Sequence, residues 1–402
     1  MATLPLEIVF SCILPRLPVK TLIRFKSVSK SFLAEISSPN FIKLHHLTSL
    51  SSDENRFLVL LGWDDDYSDK GLYMYDLDSL HALPSFCPLP RSTAVVASCE
   101  CYMLVAFGNA KSGQLGLFLI NPSMHTCRQL PNLSFPEGYY SAQYGLCHHS
   151  DELGDDLKVV RFVNFFDDSF QRQVMVYSLR KGLWKQIECT THDDYYVSAS
   201  LYRGVFLQKY LFHLIFTEID DHRFKKIGCF DIKAERWGPD VPLPNIHMDV
   251  IGVELIKPFD LGVLDEQLCM VVQNMNEATY DLWIMREYGV KESWVKLMCL
   301  CVSNNPISPP SSPMDAVYWL FDKMAYHPLT CRKGSPYELL FKLDHCSKFF
   351  WYNLEDKESI EAEFPGLPTW GSSTAYVCKG SLLNIPGGHQ LIREWCLEEE
   401  RK

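Results

Sequence analysis

One phrase recurs along this chain and restricts its fold more than any other feature. It is an apolar run of strand length, a polar turn, and a second run carrying an aromatic or large residue, often leaving through Leu-Pro. It reads LYMYDLDSLHALP at 72–84, LFLINPSMHTCRQLP at 117–131, VMVYSLRKGLWKQI at 174–187, GCFDIKAERWGPDVPLP at 228–244, YDLWIMREYGVKESWVKL at 280–297 and LLFKLDHCSKFFWYNLE at 339–355. With Asp76, Asn121, Ser178, Asp231, Arg286 and Asp344 as markers, the steps are 45, 57, 53, 55 and 58 residues. A hairpin-based period of about 50 residues predicts a β-propeller, because one small sheet per repeat cannot cover its own faces and must stack on its neighbours. Trp184, Trp237 and Trp294 close three of the phrases and are expected to pack between sheets. Strand–turn–strand phrases at 196–216, 250–273 and 373–385 complete the sheets, and the last of these is expected to return and pair with the first sheet.

The first fifty residues have a different rhythm. Ile8, Val9, Cys12 and Ile13 recur at helical spacing after Pro5, which suits a first helical position, and Glu7 lies near the positive end of that helix. Pro15 and Pro18 stop it. A second helix is predicted over Val19–Val28, with Leu22, Phe25 and Val28 on one side. A third runs through Phe32, Leu33 and Ile36, capped by Ser27 or Ser29. Phe41, Ile42 and Leu44 predict a last short turn of helix, and Ser49–Arg56 reads as a linker. Three short helices cannot bury this many apolar side chains among themselves, so the segment is expected to need a partner or the chain's own body. It holds six basic residues (Arg16, Lys20, Arg24, Lys26, Lys30, Lys43) against two acidic ones (Glu7, Glu35), whereas the whole chain carries a formal charge of −11. A basic cap on an acidic body suits an acidic partner.

The string LPLEIVFSCILPRLPVKTLIRFKSVSKSFLAEISSPNFIKLH resembles the plant F-box along its whole length. The carrying pieces are Leu4–Pro5, Ile8, Ile13–Leu14, Arg16–Lys20, Leu22, Arg24–Lys26, Val28–Lys30 and Ser37–Phe41. INPSMHTCRQLP, LKVVRF (157–162), VYSLRKGLWKQI, RGVFL (203–207), FDIKAERW and WIMREYGVKESWVKL resemble the kelch-like F-box-associated domain found in plant F-box proteins. There are departures. Phe32 stands where the family usually has Trp, Ser27 where Cys is common, Pro15 where Ser is usual, and the glycine-and-tryptophan phrase normally following GVF is replaced by QKYLFHLIF. The resemblance implies a mainly β protein with a small α N-terminal module, namely a three-helix F-box at 1–48, a linker at 49–56, a kelch-like β-propeller of about six blades at 57–392, and a charged tail at 393–402. It also implies a role as the substrate-recognition subunit of an SCF (Skp–cullin–F-box) ubiquitin ligase, which does no bond chemistry itself. Leu4, Pro5, Ile8, Ile13, Leu14, Leu17, Pro18, Val19, Leu22, Phe25, Val28, Ser29, Lys30 and Phe32 are the implied contacts to a Skp-type adaptor and, through it, to cullin and RING subunits. A target protein is the other implied partner, and the compartment is the cytoplasm and/or nucleus. Two alternatives stand beside it: a propeller enzyme or sugar-binding propeller with an incidental helical arm, and an F-box scaffold that does not promote degradation.

Segments that read as loops are candidate target contacts. Asp64, Asp65, Asp66 and Tyr67 lie in WDDDYSDKG, Tyr139 and Tyr140 in PEGYYSAQYG, and Asp193, Asp194 and Tyr195 in THDDYYVS. Tyrosine-rich polar segments make good protein contacts, and their acidity favours a basic target. SNNPISPPSSPMD (303–315) reads as an extended insertion. Other functions are disfavoured. An acidic chain is a poor generic binder of nucleic acid or of an anionic membrane. The longest apolar run, 210–216, is far short of the ~20 residues of a membrane span. The start lacks a basic run before an apolar stretch, so the fifteen cysteines are expected to stay reduced. The pairs Cys99/Cys101 and Cys299/Cys301 read as strand residues on one face and not as metal ligands, and the adjacent pairs His45–His46 and His148–His149 do not suit a shared metal. No phosphate loop, dinucleotide fingerprint, zinc helix or nucleophile elbow occurs, so neither a cofactor nor a catalytic residue is expected.

Overall fold

The computed structural model describes residues 5–63, 70–89, 93–108, 115–131, 133, 139–151, 154–165, 172–187, 195–197, 204–207, 211–218, 224–245, 256–274, 279–301, 326–343, 348–367 and 375–390. The chain forms two compact units, Met1–Ser134 with Phe364–Lys402, and Phe135–Glu363.

The first unit opens with a helical head. Helix α1 (Leu6–Ile8) runs into π-helical turns at Val9–Ile13 and a 3-10 turn at Leu14–Arg16, and Pro18 then starts α2 (Val19–Phe25). Helix α2 is three residues shorter than predicted, because the chain turns where the Ser27 hydroxyl donates to the Arg24 carbonyl. Ser29 caps α3 (Lys30–Ile36), its Oγ accepting from Phe32 N at 3.2 Å. The predicted last turn is instead the longest helix, α4 (Pro39–Leu50), with Pro39 at its first position and Ser38 Oγ accepting from Phe41 N at 3.1 Å. The expected three helices are therefore an underestimate, and helix continues past residue 48.

Two sheets complete this unit. In the first, β1 (Arg56–Trp63), β2 (Lys70–Asp76) and β3 (Ala82–Leu89) pair in chain order. In the second, β4 (Thr93–Cys99), β5 (Tyr102–Gly108), β6 (Leu115–Asn121) and β7 (Thr126–Gln129) do the same. Cys99 ends β4, but Glu100 and Cys101 are not strand residues; they make the turn from β4 to β5, with Glu100 left-handed at φ 54°.

Four sheets build the second unit, again antiparallel and, apart from β13, in chain order. The third sheet holds β8 (Tyr139–Asp151), β9 (Gly154–Phe165), β10 (Arg172–Ser178) and β11 (Leu183–Ile187). The fourth holds β12 (Tyr195–Val197), β14 (Leu211–Glu218), β15 (Phe224–Asp231) and β16 (Arg236–Trp237), with β13 (Val205–Leu207) also on β14. The fifth holds β17 (Ile256–Leu264), β18 (Gln267–Asn274), β19 (Thr279–Met285) and β20 (Trp294–Cys301). The sixth holds β21 (Tyr326–Arg332), β22 (Ser335–Leu343), β23 (Lys348–Asn353) and β24 (Ser359–Glu361). The chain's last strands then return to the first unit. There, β25 (Ala375–Lys379) pairs antiparallel with β1, Phe57 opposite Cys378, as expected of 373–385, and β26 (His389–Gln390) pairs with β7.

The six sequence phrases fall one to a sheet. Five of them share a five-residue turn leading into the next strand; in the fifth sheet, marked by Arg286, β19 reaches β20 through a longer connection that includes a 3-10 turn at Lys291–Ser293. Asp76, Asn121, Asp231 and Asn353 each use Oδ1 to accept from the backbone N–H groups two and three residues on, and Ser178 Oγ accepts from Lys181 N. Four residues after each of these, Leu80, His125, Gly182, Glu235 and Lys357 are left-handed, with φ between 53° and 68°. In the sixth sheet the turn residue is thus Asn353. Asp344, the marker read from sequence, follows β22 one hairpin earlier and lies outside the described residues.

Packing between sheets is aromatic. Trp237 of the fourth sheet lies 5.5 Å from Phe162 of the third. Trp294 joins a core with Ile227 and Val241 and donates Nε1 to the Pro242 carbonyl at 2.8 Å. Trp184 packs on Tyr177 of its own sheet at 5.2 Å. His213 on β14 is buried, with Nε2 at 2.8 Å from the Tyr288 hydroxyl in the β19–β20 turn, and burial pushes its imidazole down to about 4.

Candidate functional site: the helical head

The head has its own core. Leu14, Val19, Leu22, Ile36 and Phe41 are buried together, and Leu382, from far down the chain, is buried among them. Phe32, at the position where the family usually has Trp, packs edge-on to Phe10 at 5.0 Å and against Phe25 at 6.1 Å. His45 Nε2 donates to the Leu17 carbonyl at 3.1 Å; burial pushes its imidazole down while that hydrogen bond pulls it up, and the first effect wins.

What distinguishes the head is what it leaves outside. Leu6, Ile8, Ile13, Ile23, Val28, Leu33, Leu44 and Leu47 are exposed, Val28 by 61% and Leu6 by 56%. Arg16, Lys20, Arg24, Lys30 and Lys43 are exposed beside them. Exposed apolar side chains concentrated on one segment mark a surface that another molecule covers. Of the residues that the resemblance links to adaptor docking, Pro5, Ile8, Ile13, Pro18, Val28, Ser29 and Lys30 are exposed, and Leu17, Phe25 and Phe32 are half-buried. Leu14, Val19 and Leu22 lie in the core, where they hold the helices together and offer no side-chain surface. Leu4 lies outside the described residues. Leu6, Ile23 and Leu33 are exposed apolar residues that the sequence reading missed. Their signal was present: Leu22–Ile23 and Phe32–Leu33 are adjacent apolar pairs, and one face of a helix cannot bury both members.

The target contacts read from sequence fare differently. Asp64, Asp65, Asp66, Tyr67, Asp193 and Asp194 lie outside the described residues. Tyr139, Tyr140 and Tyr195 are strand residues and not loop residues: the first two begin β8 and the third begins β12. Gly145, which suggested a turn, sits in mid-strand because an added Cβ would come within 2.8 Å of the Phe206 ring and 2.9 Å of the Phe212 ring.

Six up-and-down antiparallel sheets preceded by a helical head define a β-propeller protein with an N-terminal helical module. Residues 80–324, more than half of the chain, match the F-box associated beta propeller domain, and the chain belongs to the plant F-box proteins that carry it. It is 29% identical to F-box protein CPR1 of Arabidopsis thaliana, over 96% of this chain and 92% of that one. It is 24% identical to F-box protein At4g22390 of the same plant, over 95% and 90%. With the putative F-box/kelch-repeat protein At1g13200, also of Arabidopsis thaliana, identity is 24% over 73% and 71%.

Proposed function

We propose that the chain is the substrate-recognition subunit of an SCF-type ubiquitin ligase in the cytoplasm and/or nucleus. The exposed apolar and basic surface of the head docks an acidic Skp-type adaptor, which brings the cullin and RING subunits. The sheets hold a target protein. The chain performs no bond chemistry; it raises the target's concentration near the charged ubiquitin carrier.

The observation that carries this reading is the set of large apolar side chains standing in solvent on a head whose core is otherwise packed. Strand direction supports a division of labour. β1 leaves the head at Arg56 and runs eight residues, roughly 25 Å, before Asp64 follows in the chain. In the third sheet Tyr139 pairs with Phe165, at the end opposite the Ser178 turn, and in the fourth Tyr195 pairs with Glu218, at the end opposite the Asp231 turn. Asp64–Tyr67 and the tyrosine-bearing segments therefore follow from, or begin, strand ends remote from the tight turns of their own sheets, and an acidic, tyrosine-bearing target site there favours a basic target.

The test is affinity capture with a recombinant Skp-type adaptor. The native chain is expected to bind it. Ile23→Asp with Val28→Asp should weaken binding at least ten-fold with an unchanged circular dichroism spectrum. A native chain that leaves the adaptor unbound would defeat the reading. For the target, proximity labelling with a chain lacking residues 1–48 should accumulate clients that charge reversal at 64–66 and 193–194 releases; clients retained after charge reversal would sink the acidic site.

A further inference from the structure

Helix α4 buries an unusual face. Its buried residues are Phe41, His45, His46 and Ser49, so three of four are polar. Such a face is stable only against specific partners, because a buried polar group without them carries a desolvation penalty. His45 finds its partner within the head, in the Leu17 carbonyl, whereas the partners of His46 come from outside it. His46 Nδ1 lies 3.1 Å from the Ser381 hydroxyl, and its Nε2 lies 3.0 Å from a Glu100 carboxylate oxygen in the β4–β5 turn. Ser381 is fully buried, and its Oγ also accepts from Leu383 N at 3.2 Å. The next residue, Leu382, is the one that enters the head's core.

The same segment is tied to both sheets of its unit. Lys379 N donates to the Glu100 carbonyl at 2.9 Å, and Gly380 N to the Asn55 carbonyl at 2.7 Å. Asn121, the turn residue of the second sheet, donates Nδ2 to the Leu383 carbonyl at 2.7 Å, and Arg128 donates to the Pro386 carbonyl. Lys379 Nζ donates to the Ser52 carbonyl just past α4. The strand pairings of β25 with β1 and of β26 with β7 bracket the segment on either side.

We propose that Ser381–Leu383 is a strap belonging structurally to the docking head, and that His46, held between Ser381 and Glu100, latches the head to the first two sheets. The head is then a composite of residues from both ends of the chain. Its docking surface exists in its native form only while the strap is seated. The consequence for docking rests on the adaptor reading above; the packing claim does not.

Hydrogen exchange on the full chain without any partner separates the two. In Leu382→Ala, amides of α3 and α4 should exchange at least ten-fold faster than in the native chain, while those of β9, β10, β18 and β22 keep their rates. Unchanged helix exchange overturns the proposal, and so does equal acceleration in both groups, which would make the strap a determinant of the whole fold. Should Leu382→Ala fail to fold, His46→Gln replaces it with the same expectation and the same overturning results. Adaptor titration of these variants then tests the consequence. A native chain that binds alongside strap variants weakened at least ten-fold agrees with it; strap variants binding like the native chain refute it. A native chain that does not bind defeats only the adaptor reading.

Discussion

The helical head and the sheets treat large apolar side chains in opposite ways. In the first two sheets, Leu58, Val59, Leu60, Leu72, Met103, Leu104 and Val105 have no accessible surface. Among the described residues thirteen large apolar or tyrosine side chains are exposed, and eight of them lie between Leu6 and Leu47. The sheets solve their burial problem by stacking on one another. The head is folded around a small core and still leaves eight large apolar side chains exposed. Folding and burial are thus separate problems in the head and a single problem in the sheets.

Matched truncations break the comparison most sharply. Leu22→Ala, inside the head's core, should cost about 2–5 kcal/mol and unfold the helices first. Leu33→Ala, one helix away but exposed, should change stability by less than about 0.5 kcal/mol. Urea titration followed by circular dichroism measures both, and equal costs would show that the exposed residues are already covered. Within the sheets His213 supplies a pH-dependent lever. Its folded imidazole sits near 4 against an ordinary 6.5, so the native state favours the neutral ring. That stabilisation is present above about pH 6.5 and is lost as the pH falls towards 4, an effect of about 3 kcal/mol for the second unit. The urea midpoint at pH 7 and pH 4.5 reads it, and His213→Asn should remove that part of the pH dependence.

Smaller effects sharpen the contrast. Ser38→Ala removes the cap of α4 and should cost about 1 kcal/mol, confined to the head. In the sheets' shared turn, Gly182 and Lys357 occupy equivalent left-handed positions. Lys357→Gly should raise stability by about 0.5 kcal/mol or more by relieving backbone strain, and Gly182→Ala should lower it by a similar amount, since an added Cβ there meets nothing within 4 Å. Thermal unfolding of the pair tests whether the turn is one unit repeated.

The sheets were the more legible region. Five of the six turns use a side chain that accepts from its own backbone, so Asp, Asn or Ser marks those repeats; the fifth, at Arg286, was legible only from the strand phrases on either side of it. The sixth mark was misplaced because Asp344 also follows an apolar strand, and only pairing reveals that Asn353 ends the strand before the turn. In the head, the start of α3 was legible from Ser29, whereas α4 was misread as a short turn. Its buried side carries His45, His46 and Ser49, so the apolar periodicity that announces a helix is weak, and for His46 the partner lies more than 300 residues away in Ser381. Tyr139 and Tyr140 were read as loop residues because Gly145 and the serine beside them imitate a turn; the aromatic rings that require a glycine there come from another sheet.

The pairing of β1 with β25 also sets a timetable. Phe57 and Cys378 are partners across the whole body of the chain. A ribosome adding about 5–20 residues per second leaves β1 without that neighbour for roughly 15 to 60 seconds. During that interval the strand presents an open edge flanked by Leu58, Val59 and Leu60, the kind of edge that recruits other chains. Contacts this distant in sequence also form slowly once synthesis ends. Until the last strands arrive, the first sheet must therefore be kept from pairing with a stranger.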